Sequence, residues 1–523
     1  MDKITNIENK KGFISIPFDS AVYNLIPHTI KIGDGFAGGT NDNLLVPHGL
    51  TETKLLRNMG YQDISSPFLK YYDWNNTIPF EHQKTTSDML VFSDRAYVLN
   101  DMGTGKTLSV LYAIDYLIKQ SLMKKVLIIA PLSTLTSVWE REIFRWTPHL
   151  DAVVLHGSKK KRRNLLAKPH DIYIINHDGV ETIFPELIAR TDIDTIVVDE
   201  LTAYKNAQTL RWKTLNKLAP GKRVWGLTGN PTPQAPTDAY GQVRLITPSN
   251  IDKSFKLFQS KTMLQVSQFT WVPKKEANTV IHTAMQPAVR FKMEDCISLP
   301  PITYNDARIP ITPKQTLVYN DIMRKLHYQY QHHEVTAANE GVKLSKLLQV
   351  ACGFVYLTNS KGAIQIDNNN RIDALCDIID ASRRKLIVFL PFRHGIKLLN
   401  NELLKRKYDV AVIHGGVNKT ARDKIYNDFQ NSPSPKIIIA HPRTMAHGLT
   451  LTEANVVVWY SPSQSLEMYL QANARVRRPG QQYKQYIVHI QGCPVEERIY
   501  KRLTNKQTIQ GALLEMFEDN TSV

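Results

Sequence analysis

Leu99-Asn100-Asp101-Met102-Gly103-Thr104-Gly105-Lys106-Thr107 stands between an apolar run that ends at Asn100 and an amphipathic helical pattern that begins near Leu108. A strand that feeds a glycine-bearing turn and then a helix lets backbone N–H groups close around an anion. Gly103 and Gly105 permit that approach because neither carries a Cβ, and the helix amino terminus adds positive potential. Lys106 supplies a compact cation to the outer phosphates, Thr107 is expected to hold Mg²⁺, and Met102 and Thr104 complete the expected nucleotide-binding loop. The strict G-x4-G-K-[ST] spacing is not met, since Asn100 occupies the place of the first glycine. The shorter G-x-G-K-T core survives.

Around this loop, apolar runs at Ala96 to Asn100, Val126 to Ala130, Asp171 to Asn176, Thr195 to Asp199 and Val224 to Thr228 alternate with helical patterns. Strands that are apolar throughout and separated by helices predict a parallel sheet covered on both faces. A second series follows at Lys385 to Pro391, Val410 to His414, Lys436 to Ala440, Val456 to Tyr460 and Tyr486 to Ile490. The expected architecture is α/β, with two RecA-like parallel-sheet lobes and a small amino-terminal α+β accessory domain. The expected units are 1–75 (accessory), 76–250 (first, ATP-binding lobe), 251–310 (inter-lobe connector), 311–485 (second lobe) and 486–523 (a carboxyl-terminal strand and a helix bracing the lobes).

Two further clusters bear on chemistry. Asp199-Glu200 follows the apolar run Thr195-Ile196-Val197-Val198. A carboxylate at a strand's carboxyl end can hold a metal's water shell while its neighbour orients or deprotonates a water, so Asp199 is assigned to Mg²⁺ and Glu200 to water. In the run Gln471 to Gln481, Arg475 and Arg478 lie three apart and share a helical face, whereas Arg477 points elsewhere. Arg475 and Arg478 are the candidates to neutralise charge developing on a γ-phosphate across a cleft.

Composition sets the outer bounds. With 523 residues the chain has room for several compact units. An excess of 65 Lys and Arg over 48 Asp and Glu gives a formal charge of +17, which attracts polyanions. Cys296, Cys352, Cys376 and Cys493 have no C-x2-C spacing, which argues against a zinc ribbon and for a reduced, intracellular protein. There is no apolar stretch of signal-peptide or membrane-spanning type, so a cytoplasmic location is expected.

Taken in order, the motifs resemble those of superfamily 2 motors, specifically a minimal, phage- or bacterial-like Swi/Snf-type DNA-dependent ATPase. Phe80-Glu81-His82-Gln83 resembles the adenine-reading element, with Gln83 the implied contact. Ala130-Pro131-Leu132-Ser133 with Trp139-Glu140-Arg141-Glu142 resembles the next block, and Asp199-Glu200-Leu201-Thr202 the acid box. Leu227-Thr228-Gly229-Asn230-Pro231 resembles the coupling element, and Leu299-Pro300-Pro301 the inter-lobe segment. His414-Gly415-Gly416, the stretch from His447 to Asn455, and Gln471 to Gln481 complete the series.

The resemblance implies ATP and Mg²⁺ as cofactors and movement on double-stranded DNA, with forked or branched DNA among the candidate forms, by a protein expected to be a monomer. It implies coupling through Thr228, Gly229 and Gln471. It also implies sequence-indifferent backbone contacts near Pro131, Ser133, Thr134, His414, Gly415, Gly448 and Thr450. The alternatives are a strand-separating DNA or RNA helicase and a non-hydrolysing DNA-binding clamp. The chain departs from the family pattern at Leu201-Thr202, where a small residue and histidine are usual, and at Asn230 and His447. The departure at Thr202 puts its contact with Thr228 in question. Residues 13 to 60 are similar to the HepA-related domain of annealing helicases, with an ordinary packing module as the other reading.

Three more features have two readings each. Lys159-Lys160-Lys161-Arg162-Arg163 reads as either counterion-releasing contacts or a solvated loop. Trp139, Ile143 and Trp146, at helical spacing, read as a core-facing stripe in preference to a base-stacking platform. His327, His332 and His333 read as an exposed helix surface in preference to a metal site, because no acid pattern for a metal accompanies them.

Overall fold

The computed structural model describes residues 8–10, 12–32, 43–61, 63–74, 78–268, 270–332, 337–356, 363–445 and 450–505. Among them, two all-parallel sheets dominate. The first runs Ala288–Val289, Arg95–Val98, Arg223–Leu227, Ile193–Asp199, Lys125–Ala130, Ile172–Asn176, Ala152–Val154 across its width. The second runs Ile302–Arg308, Gln485–Gln491, Ala454–Trp459, Lys385–Phe389, Ile437–Ala440, Val410–Ile413. Their central strands are buried along almost their whole length, as in Ile172–Asn176 and Ile437–Ala440, because helices cover both faces.

In these two sheets the sequence pattern missed three strands for identifiable reasons. Ala152–Val154 and Ala288–Val289 are too short to register as periodic runs. Ile302–Arg308 is a polar, largely exposed edge strand that lacks the apolar run of a buried one. The last two correct the expected 251–310 connector: its Ala288–Val289 pairs with Tyr97 and Val98 in the first sheet, and its Ile302–Arg308 lies alongside Gln485–Gln491 in the second.

The helix Lys106–Lys119 also differs from its amphipathic expectation. Ser109 to Leu117 are all buried, because the helix Glu81–Phe92 and the aromatic residues Phe68, Tyr72 and Trp74 cover the face turned away from the sheet. A helix enclosed on every side has no polar face to keep. The carboxyl-terminal helix over 494–505 contributes Val495, Ile499, Tyr500 and Leu503 to the core of the second sheet, so over the described residues it is part of that lobe rather than a brace between two. It is anchored by Glu496, which is fully buried and accepts from the Arg371 guanidinium at 2.7 and 3.1 Å.

The amino-terminal unit is a four-stranded antiparallel sheet, Glu8–Lys10, Phe13–Pro17, Asn43–Pro47, Ile30–Ile32, packed on the helix Leu50–Asn58 around Ile14, Ile16, Val22, Leu44, Val46 and Leu56. The glycine-rich stretches at Gly33 to Gly35 and Gly38 to Asp42 lie outside the described residues, as do His333 and the side chains of His327 and His332.

Candidate active site

The loop after Arg95–Val98 is shaped by two residues in the left-handed region, Gly103 at φ 89° and Gly105 at φ 81°. A Cβ would also fall 2.2 Å from Met293 Cε on Gly103 and 2.2 Å from Gln83 Nε2 on Gly105, contacts that those flexible side-chain ends can yield, so the backbone angles and not steric room require glycine here. Gly105 leads into the helix Lys106–Lys119, whose free N–H groups face the turn. Lys106 Nζ donates to the carbonyls of Asn100 at 2.8 Å and Asp101 at 3.0 Å. Thr104 Oγ1 donates to Asp101 O at 2.9 Å, and Met102 and Thr107 complete the turn.

Asn100 carries part of this geometry. It is 1 % exposed, its Nδ2 donates to Thr86 Oγ1 at 2.9 Å, and its Oδ1 accepts from Phe291 N at 3.0 Å. The side chain that departs from the strict glycine pattern thus ties the loop to the helix before it and to the chain that leaves the first sheet. Asp101 is tied to the same segment, since its carboxylate accepts from Arg290 Nη2 at 2.6 Å and Met293 N at 3.0 Å. Arg290 also donates to Leu99 O at 2.7 Å. Nothing in the sequence marks Arg290 as part of this site, because its partners are 190 positions away.

The Gln83 amide faces the loop as well. Its Oε1 accepts from Phe80 N at 3.1 Å and its Nε2 lies 3.4 Å from Thr104 O, whose other partner is His82 Nε2 at 2.7 Å. Phe80 stacks on His82 with ring centroids 5.6 Å apart.

Asp199 ends the strand Ile193–Asp199, and its carboxylate is held by two N–H groups, Trp139 Nε1 at 3.0 Å and Glu200 N at 3.0 Å. Glu200 sits at φ 53°, where a residue with a Cβ costs about 1–2 kcal/mol, and such strain concentrates at functional sites. Burial raises the Asp199 carboxyl above its ordinary value, opposed by the Trp139 indole and the Lys106 ammonium. Glu200 is pushed up to about 7 by burial and by Asp199, with Lys106 and Arg475 pulling the other way. Burial in turn pushes the Lys106 ammonium down, against the pull of Glu200, Asp199 and Asp101.

The second sheet brings its arginines to this group, from the turns that follow the helix Leu466–Asn473 and not from the shared helical face expected of them, because the helix ends before Arg475. Arg475 is 3 % exposed, with Nη2 at 3.9 Å from Met102 Sδ, and the Arg478 side chain lies 3.9 Å from where a Cβ on Gly103 would be. Burial, together with the neighbouring Arg478, lowers Arg475 to about 9, and burial lowers Arg478 to about 10, so both remain cationic at neutral pH. Lysine, left-handed glycines, two carboxylates and two guanidinium groups, Arg475 buried and Arg478 half-buried, thus converge on one turn. That donor set fits a triphosphate, and the carboxylates fit a divalent cation beside it.

The coupling candidates lie at the same junction. Thr228 Oγ1 accepts from Asn230 N at 3.1 Å, and a Cβ on Gly229 would fall 3.4 Å from Asn100 O. Gln471, buried, lies 3.3 Å from Glu467 Oε1, and Thr202 Oγ1 lies 3.5 Å from the same oxygen. The unusual Thr202 therefore faces the second sheet's helix. Asn230 lines a cavity of ≈ 380 Å³ between the sheets with Asp101, Met102, Met293, Tyr304 and Glu467, and among the described residues its side-chain nitrogen and oxygen are both buried without a hydrogen-bond partner.

The nucleic-acid candidates stand at the carboxyl ends of strands. Pro131, Ser133 and Thr134 follow Lys125–Ala130, with Ser133 exposed and Thr134 buried; His414 and Gly415 follow Val410–Ile413, and Thr450 is exposed. Gly448 and His447 lie outside the described residues. The basic run turns out to be the start of a helix, Lys159–Leu166, in which Arg162 is buried and donates to Leu155 O at 2.7 Å while Lys159, Lys160 and Lys161 are exposed. Trp139 and Ile143 are core residues, as the stripe reading expects, whereas Trp146 is only half-buried and donates its indole N–H to Glu142 Oε2 at 2.6 Å. The indole bond to Asp199 was the missed signal: a buried tryptophan needs an acceptor for its N–H.

Residues 92–356 match the model of the SNF2-related domain, and residues 370–480 match that of the helicase conserved C-terminal domain. The p41 protein of Acyrthosiphon pisum secondary endosymbiont phage 1 is 25% identical over 462 residues, 84% of this chain and 98% of that protein. The ISWI chromatin-remodeling complex ATPase of Saccharomyces cerevisiae is 25% identical over 78% of this chain and 38% of its own length. The chain thus spans nearly all of the phage protein but well under half of the yeast one. A solved structure described as the Sulfolobus solfataricus SWI2/SNF2 ATPase core in complex with dsDNA is 23% identical, covers 86% of this chain and 97% of that chain, and has a TM-score of 0.42.

Proposed function

As the chain belongs to the SNF2-related family and is an ATPase of the helicase type, we propose that it hydrolyses ATP to move along double-stranded DNA as a monomer, remodelling forks, junctions or bound proteins. The observation that carries this reading is the approach of Arg475 and Arg478 to the loop 102–105, and of Arg475 to Glu200, which joins two lobes through one reacting group.

On this reading the loop N–H groups, Lys106 and the two arginines bind and orient the triphosphate, and Gln83 and Phe80 border its base. Thr107 and Asp199 would hold Mg²⁺, which supplies charge neutralisation at the phosphates. Glu200, with a carboxyl near 7, is matched to taking a proton from the attacking water at neutral pH. Arg475 and Arg478 offset the charge that develops on the transferred group, at a cost prepaid in folding because both are already desolvated. Movement would follow from opening and closing of the cleft, with Thr228, Gly229 and Gln471 transmitting it. Pro131, Ser133, Thr134, His414, Gly415, Gly448 and Thr450 would bear on phosphates, which position without reading sequence. The formal charge of +17 supports a polyanionic track.

The test is ATP turnover with single strands, duplexes, forks and four-way junctions, alongside triplex displacement and strand unwinding. Duplex-stimulated turnover with third-strand displacement and no unwinding is expected, and Lys106→Ala or Glu200→Gln should abolish turnover while leaving duplex binding intact. Unwinding would return a strand-separating helicase, and binding without any stimulated turnover would return a clamp.

A further inference from the structure

The segment 131–140 joins the exposed end of one strand to the acid at the end of its neighbour. Lys125–Ala130 and Ile193–Asp199 are adjacent and parallel, with Ile129 opposite Val198, so Pro131 and Asp199 leave the same sheet edge side by side. Leu132 and Ser133 are exposed there, at the place proposed for a phosphate track. The chain then enters a π-helical turn, Leu135–Glu140, rather than an α-helix.

That turn begins on Thr134, whose carbonyl accepts from both Val138 N and Trp139 N at 3.0 Å. Thr134 is itself locked by its N–H and its hydroxyl, both donating to Pro131 O at 2.9 and 3.0 Å. The extra residue in a π turn rotates everything after it by about 100°, and such turns are rare and concentrate at functional sites. Here the rotated residue is Trp139, fully buried, with Nε1 at 3.0 Å from Asp199 Oδ2. Core packing alone would be met by any large ring. The π turn and the aimed N–H are not needed for packing.

We propose that Trp139 is a positioning residue that holds the Asp199 carboxylate in register for the divalent cation, and that the π turn carrying it links the loop 131–134 to that carboxylate. This rests on the translocase reading given above. A phosphate backbone seated on Ser133 bears on Thr134, whose carbonyl holds the backbone N–H of Trp139, and the indole passes the displacement to Asp199. Duplex stimulation of ATP turnover then depends on an N–H that touches neither DNA nor nucleotide.

The test compares the full-length wild type with Trp139→Phe, which keeps an aromatic ring in the core and removes the donor. Trp225→Phe is the control, since Trp225 is equally buried but its indole donates to Ser93 O at 2.9 Å. ATP turnover is measured against Mg²⁺ concentration with and without duplex, together with duplex affinity and thermal melting. Loss of a hydrogen bond to a charged acceptor predicts a fall in duplex-saturated kcat of roughly 10- to 100-fold for Trp139→Phe. A higher half-saturating Mg²⁺ concentration, duplex stimulation reduced towards one and unchanged duplex affinity are also expected. Trp225→Phe should lower melting comparably and change neither Mg²⁺ dependence nor stimulation. Should Trp139→Phe fold poorly, 3-benzothienylalanine at position 139 removes the same N–H while keeping the full bicyclic shape.

Wild-type Mg²⁺ dependence and stimulation in a well-folded variant at position 139 overturn the proposal, as does an equal fall in basal and stimulated rates with Mg²⁺ dependence unchanged. A wild-type enzyme without duplex-stimulated turnover overturns the translocase reading, and the relay with it. A stimulated wild type beside an indifferent Trp139 variant overturns the relay alone.

Discussion

Replacing Asn100 with glycine restores the strict phosphate-loop pattern, and by sequence rules alone it should be harmless. The structure predicts the opposite. The Asn100 side chain is buried and accepts from Phe291 N at 3.0 Å, so its removal leaves that backbone N–H without its acceptor, at about 1–3 kcal/mol. Loss of the bond from Nδ2 to Thr86 Oγ1 removes about 1 kcal/mol more, although Thr86 keeps its own donation to His82 O. Extra freedom of glycine in the unfolded chain adds about 0.4–1 kcal/mol, and no relief offsets it because Asn100 has a negative φ. The sum is roughly 3 kcal/mol. For a unit the size of the first lobe, melting shifts by about 2–4 °C per kcal/mol, so the first-lobe transition of Asn100→Gly should fall by roughly 6–12 °C. Differential scanning calorimetry reads the shift, and amide exchange at Phe291 should accelerate with it. A variant that melts with the wild type, with Phe291 still protected, would show that the asparagine merely fills a glycine's place and refute the reasoning.

Two further outcomes follow from buried acids. Asp115 is held below the usual carboxylate range although burial pushes it up, because Lys119, Tyr72 and His149 all donate to it at 2.6–2.8 Å. A folded-state value below the unfolded one means its stabilisation is full above about pH 4 and fades as pH falls through the folded value. Asp115→Asn should therefore lower stability at neutral pH and flatten the acid limb of a denaturation series, and an acid limb identical to the wild type's would count against the network. For Glu200, whose carboxyl sits at about 7, the unprotonated form is the base, so kcat/KM for ATP should fall tenfold per pH unit below about 7 and level off above it. A profile flat down to pH 5 would remove Glu200 from the role of base.

The parallel sheets were legible because buried strands write their burial as unbroken apolar runs, as Val126 to Ala130 and Lys436 to Ala440 do. The loop and acids were legible because backbone closure on an anion requires glycine at Gly103 and Gly105, whatever surrounds them. What escaped was set by partners distant in sequence. Arg290 looks like any surface arginine until the chain folds it onto Leu99 and Asp101, and Trp139 looks like a core residue until the π turn aims its N–H at Asp199. Arg162 escaped in the other direction, since a charge run reads as solvated and only the fold shows one member buried on backbone carbonyls. A one-dimensional pattern records how often a position is buried, and it does not record which polar partner arrives there.

The stretch expected to be the inter-lobe connector is zipped to the phosphate loop itself. Leu99 N donates to Val289 O at 2.8 Å and Asp101 N to Phe291 O at 3.0 Å, while Phe291 N and Met293 N return to the side chains of Asn100 and Asp101. The chain therefore leaves the first sheet zipped to the phosphate loop and enters the second sheet at Ile302. Between them Glu294 pairs with Arg477 at 2.8 Å, on the run that also carries Arg475 and Arg478. Magnitudes decide which link matters. The ion pair is partly exposed and worth at most about 1 kcal/mol, whereas four hydrogen bonds at about 1 kcal/mol each hold the connector to the loop. On the proposed opening and closing of the cleft, the loop and the connector would move as one piece and the ion pair would be the weaker of the two links. Arg477 lies with Arg475 and Arg478 in the turns after the helix Leu466–Asn473, and it is the one of the three whose side chain is paired with the connector and not turned to the loop.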